Sequence, residues 1–204
     1  RNARLFQDFL PNGYRQFSIE KVEEKHKELV QLAKLQLGIF ITYVDDYSDN
    51  PKLIDSEFIN SIFSLANQTE MKSTKHHFAF DLKQDLFHTI ELLPNYNSLK
   101  SIFSFDFEQL AQAFRYSLLL QDIPQLNNSK ENRTYLSHNM GIVLALMIDL
   151  MAVENIKLYE MGEIRKFSFE MQEISRTMNE LRPFEKEKKE FDPTSELLFQ
   201  IESA

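Results

Sequence analysis

The sequence predicts an all-α domain. It holds only four Gly and six Pro in 204 residues, too few turn formers for many short strands. Its apolar residues recur with helical rather than alternating spacing. The breaks between these runs lie far enough apart for helices of several turns. No repeat, low-complexity run or linker divides the chain, so residues 1–204 are expected to form one domain with a sizeable core.

Residues 1–15 carry Pro11 and Gly13 and read as a short helix or arm followed by a turn. The first strong helix is expected from Ser18 to about Asp46. Ser18 suits an N-cap and Glu20 suits the positive end of the dipole, while Lys21 leaves the capping box partial. Val22, His26, Leu29, Val30, Leu32, Leu35 and Leu37 follow the helical period. The run Gly38-Ile-Phe-Ile-Thr-Tyr-Val44 carries no charge, and Asn50-Pro51 marks a stop. A second helix is expected from Asp55 to about Thr69, with Phe58, Ile59, Ile62, Phe63 and Leu65 inward. Further helices are expected over 76–92 and 98–121, separated by Pro94-Asn-Tyr-Asn. A polar loop follows from Pro124 to Asn132. A deeply buried helix is expected from Asn132 to about Met151, and a long amphipathic one from Glu160 to about Leu181. Pro183 interrupts or kinks the latter. A charged stretch follows over 185–190, then a short helix over 195–201.

The formal net charge is −8, which speaks against a nucleic-acid partner, whose usual footprint is basic. An acidic protein can still hold an anion through metal ions. The absence of Cys excludes disulfides and thiolate metal sites. No apolar run approaches a membrane span, so no stable membrane insertion is expected. No secretory signal is recognisable, and a cytoplasmic protein is expected. Three sequons, at Asn67, Asn127 and Asn132, are read as accidental in an Asn-rich chain.

Asp45, Asp46 and Asp49 are the candidate catalytic acids. Asp45 and Asp49 lie four apart and share one helical face. Two carboxylates so placed repel unless a cation sits between them, and magnesium takes hard oxygen ligands completed by water and phosphate. A plain solvated helix end is the alternative, although acids there oppose the helix dipole. Phe40, Tyr43 and Tyr47 adjoin this cluster, and ring faces can stabilise a cation. Aromatics at helical spacing are more often plain core. His26, His76, His77, His88 and His138 have no zinc-like spacing. Lys186, Lys188 and Lys189 are most simply a solvated face.

A second segment runs Asn179-Glu-Leu-Arg-Pro-Phe-Glu-Lys-Glu187 by composition, with Lys186 preceding Glu187. Asn179 and Glu187 lie eight apart. Together the two segments resemble the class I terpene synthases (terpene cyclases) of the isoprenoid synthase superfamily. Asp45-Asp46-x-x-Asp49 fits the family's first motif in full. Asn179, Glu180, Lys186 and Glu187 fit the second, with Pro183 where the family has a Ser or Thr ligand. Asp192 matches an acid often found further on, with Phe191 in place of Gly.

The resemblance implies an antiparallel helical bundle of the class I isoprenoid synthase type. The family normally continues with further helices, so the bundle is expected to be incomplete at its ends. It implies magnesium-dependent ionisation of a prenyl diphosphate, then cyclisation or elimination to a terpene with release of diphosphate. Three Mg2+ ions are implied: Asp45 and Asp49 as metal ligands on one side, Asn179 and Glu187 on the other. Arg133 and Lys186 would bind the diphosphate, and Phe40 and Tyr43 would line the prenyl pocket. The diphosphate sensor is left open between Arg133 and, by the local pattern around Tyr135, His138 or Asn139. A homodimer is among the expected partners. The alternatives are a prenyltransferase that binds the same diphosphate, for which a second aspartate-rich motif is missing, and a non-catalytic helical interaction protein.

Overall fold

The computed structural model describes residues 12–13, 18–50, 52–63 and 74–181. Every regular element among the described residues is helical and none is a strand. The α-helices are α1 (Glu24–Asp45), α2 (Ser56–Phe63), α3 (Thr74–Glu91), α4 (Tyr96–Asp122), α5 (Ser129–Tyr135), α6 (Ile142–Met151) and α7 (Met161–Leu181). Short 3-10 turns occupy Pro124–Leu126, Leu136–Met140 and Leu158–Glu160. The expected arm over 1–15 and the short helix over 195–201 fall largely or wholly outside the described residues.

The first helix begins at Glu24, not Ser18. The reason lies across the fold. The Lys34 ammonium donates to Ser18 Oγ at 3.2 Å and forms an ion pair with Asp149 at 2.6 Å. The Ile19 N–H donates to the other Asp149 oxygen at 3.1 Å. Residues 18 and 19 thus serve a buried ion pair, and the chain makes a separate turn, with the Val22 N–H donating to the Ile19 carbonyl at 3.1 Å, before α1 begins. Lys34 and Asp149 are both sealed from solvent. Burial pushes Lys34 down and Asp149 up, and their mutual attraction opposes both shifts.

α2 starts where expected, because Asp55 accepts the Phe58 N–H at 2.8 Å as an N-cap. The buried Lys83 of α3 donates to the Ile62 carbonyl at 2.7 Å and ties α3 to α2. The Pro94 turn is pinned to the far end of α6: Asn95 N–H donates to the Met151 carbonyl at 2.9 Å, and its side chain to Val153. The expected loop over 124–132 contains a helix. Asn128 accepts the Glu131 N–H at 2.9 Å, and Glu131 accepts from Asn128 Nδ2 in return. Asn128 is thus an N-cap whose side-chain amide is held in place by Glu131.

The helix expected from Asn132 to Met151 is broken. α5 passes into the 3-10 turn, and the chain then turns through Gly141 at φ 66° before α6 begins. The two halves meet at 46°. A Cβ on Gly141 would collide with Ile41 Cδ1 of α1, so the break sets how closely α1 approaches.

α1 packs on α3 and α6, α2 on α4, and α4 on α6 and the 3-10 turn. α7 packs on α6 and that same turn. The aromatic core joins α1, α2 and α4, where Phe40, Phe63, Phe107 and Phe114 lie ring against ring. No single helix among the described residues is long and apolar enough to cross a membrane.

Candidate functional site

α1 runs antiparallel to α6, since Lys34 meets Asp149 and Ile41 meets Gly141. α7 is also antiparallel to α6, since Arg165 touches Met147 and Gln172 meets Val143. The two outer helices therefore run the same way. Asp45 lies one turn past the Gly141 contact, about 6 Å further along α1. Asn179 lies two turns past Gln172, about 10 Å further along α7. The acidic turn and Asn179 thus emerge at the same end of the bundle, beyond the break.

The acidic turn is built on the Asp45 carbonyl. It accepts the Ser48 N–H and hydroxyl, both at 3.0 Å, and the Asp49 N–H at 3.1 Å. The last of these is a helical i→i−4 bond, so Asp45 and Asp49 stay one turn apart beyond the formal helix end. Ser48 is buried, while Asp45, Asp46 and Asp49 are partly exposed. The Tyr47 carbonyl accepts the Asp55 N–H at 3.0 Å and folds the following segment back.

Beside the turn lies an aromatic group. Tyr43 packs on Tyr47, Phe58 and Phe78, and Phe58 packs on His76. Burial, then the bond to Tyr47 and the nearby Asp46, push the Tyr43 hydroxyl well above its ordinary value. Lys75 sits over the Tyr47 and Phe58 rings at 5.1 and 5.6 Å and pairs with Asp55. Burial opposes ionisation of Asp55, but Lys75 and the Phe58 amide hold it below the usual carboxylate value. Burial first, then Lys75, lower His76. Neither Lys75 nor Phe78 has a sequence signal, because both reach the turn from α3.

Phe40, expected to line a prenyl pocket, is 0% exposed and packed between Phe63 and Phe107. Tyr43, three residues on, is half-buried at the edge of the aromatic group. Arg133 is exposed on α5, and its carbonyl accepts the Ser137 hydroxyl at 2.8 Å. Asn179 is exposed near the end of α7. Lys186 and Glu187 lie outside the described residues. Among the described residues no three His, Asp or Glu side chains are grouped as a preformed metal cage. A cavity of about 260 Å³ lies elsewhere, against Ser18, Ile19, Val22 and Val30.

No protein-family model, curated protein or solved structure matches this chain. The functional reading therefore rests on the motifs and on the geometry around them.

Proposed function

We propose that the protein binds a prenyl diphosphate through magnesium at the acidic turn and ionises it, as class I terpene synthases do. The observation that carries this reading is the shared end of the bundle: α1 delivers Asp45 and Asp49, and α7 delivers Asn179, past the same break. Asp45 and Asp49 suit a magnesium ion, which takes one or two carboxylates and completes its shell with water and substrate phosphate. A preformed three-acid cage is not needed for such a site. Asn179 and Glu187 would hold a further ion, with water where Pro183 supplies no ligand. Arg133 and Lys186 would attract the diphosphate, and the Tyr43 ring would face the prenyl chain. Phe40 backs the turn from within the core.

The metal would stabilise the charge that develops on the leaving oxygen. The allylic carbon–oxygen bond breaks and its electron pair leaves with the diphosphate. The prenyl cation then closes a ring or loses a proton. A prenyltransferase would share the binding step and direct the cation to a second substrate.

A helical interaction protein is the second reading, and one observation favours it. Phe167, Ile174 and Met178 of α7 are 59%, 55% and 64% exposed, and with Met171 they repeat at coiled-coil spacing.

Thermal shifts with magnesium, with inorganic diphosphate and with both separate these readings. On the catalytic reading the joint shift exceeds the sum, because each ligand completes the other's coordination. Asp45→Ala then removes the joint effect and abolishes turnover of a prenyl diphosphate, with helical content unchanged by circular dichroism. Additive or absent shifts would reject the diphosphate reading and leave the interaction protein.

A further inference from the structure

The Gly141 break leaves the first amide groups of α6 without helical partners. The residue at the N-cap is Gly141, which has no side chain to serve them. Help comes from α7. The Val143 N–H donates to Gln172 Oε1 at 3.3 Å, and Gln172 is 1% exposed. This contact fixes the amide, because the flipped form would set an NH2 against the N–H. The Gln172 nitrogen therefore faces His138 Nδ1, 3.3 Å away. An amide NH2 only donates, so Nδ1 must accept and the imidazole must be neutral. An imidazolium would point a second proton at the Gln172 NH2.

The imidazole is enclosed on several sides. The Phe169 ring meets it edge-on at 5.7 Å. α5 presents the Thr134 carbonyl. α1 meets the break through Ile41 and Leu37. The charged groups acting on it are Asp106 from α4 and Arg165 from α7. These two are joined by two bonds of 2.7 Å, so their fields on the ring oppose each other.

We propose that His138 and Gln172 form a proton-operated latch on the Gly141 break: the neutral imidazole holds Gln172 on the Val143 amide, and protonation releases it. Burial first sets the direction, pushing His138 below its ordinary 6.5, with Asp106 and the bond to the Thr134 carbonyl opposing the shift and Arg165 reinforcing it. A depressed folded-state value means that the latch contributes fully above 6.5 and is lost as pH falls through the folded value. The latch acts on the junction of α6 and α7 and stands apart from whether the acidic turn binds magnesium.

Hydrogen exchange of the full chain tests it between about pH 7.5 and about pH 5. Corrected for intrinsic rate, protection of the Val143 amide should fall below 6.5 by up to about tenfold per pH unit. Amides near Met151 should keep theirs, and His138→Gln should abolish the fall. Protection that stays level, or falls equally in His138→Gln, would overturn the latch. Should that variant fail to fold, imidazole nitrogen shifts of the wild-type protein decide. An unprotonated Nδ1 at neutral pH supports the latch, and a protonated Nδ1 refutes it.

Discussion

The two ends of α6 are held by polar contacts of opposite kind. At its C-terminal end Asp149 pairs with Lys34 in full burial, and Ile19 and Ser18 complete the network. At its N-terminal end the Val143 amide is held by Gln172, which in turn requires a neutral His138. The first contact joins two buried charges, and losing one partner would leave the other stranded away from water. The second carries no net charge and can be undone by one proton. The charged end holds Ser18 and Ile19, which precede α1, while the Gln172 end lies at the Gly141 break, one turn of α1 before the acidic turn.

Breaking the charged end should have the largest effect. Asp149→Ala strands Lys34 and should lower the stability read by urea denaturation by about 3–5 kcal/mol. Lys34→Met together with Asp149→Leu removes both charges at similar volume and should recover most of that loss. A double variant no more stable than Asp149→Ala would mean that the pair itself, rather than the stranded ammonium, supports the fold.

At the break, Gly141→Ala meets both the positive φ and Ile41. It should be destabilising by about 1–3 kcal/mol, and Ile41→Ala in the same chain should relieve the steric part but not the backbone part. Full rescue by Ile41→Ala would show that contact, not backbone conformation, requires the glycine.

Gln172→Leu leaves the Val143 N–H without its acceptor and should lower stability by about 1–3 kcal/mol. The same change should also flatten the pH response of the Val143 amide. The smallest effect is expected beside the acidic turn. Asp55→Asn keeps the helix cap but loses the charge facing Lys75, a part-exposed pair. It should change stability by less than about 1 kcal/mol. Because Asp55 is held below its usual value, its contribution is present above the ordinary carboxylate value and fades as pH falls through the folded one.

Local chemistry made much of the helical order legible. The long apolar periods marked α3, α4 and α7 and the end of α1 to within a few residues, and Asp55 announced the start of α2. Asn128-x-x-Glu131 is a readable cap inside the segment expected to be a loop. The polar composition of that segment, with three Asn after Pro124, masks the pattern. At the site, the turn after Val44 was visible from Asp45, Asp46 and Asp49, and Tyr43 and Tyr47 from their adjacency. The sealed position of Phe40 was not, because one helical period cannot distinguish a ring that faces a cavity from one that faces other rings.

By itself, then, the sequence determined that this chain is helical, where most helices run, and which acids follow the apolar run of α1. These depend on residues within a few turns of one another, where spacing specifies facing. Only the tertiary structure decided where α1 begins, where the helix over 132–151 breaks, and which end of the bundle receives the acidic turn. Each of those rests on contacts between distant segments: Ile19 with Asp149, Ile41 with Gly141, and Gln172 with Val143. A buried amide or carboxylate must find its partner wherever the fold supplies one, and nothing in local spacing specifies that partner in advance.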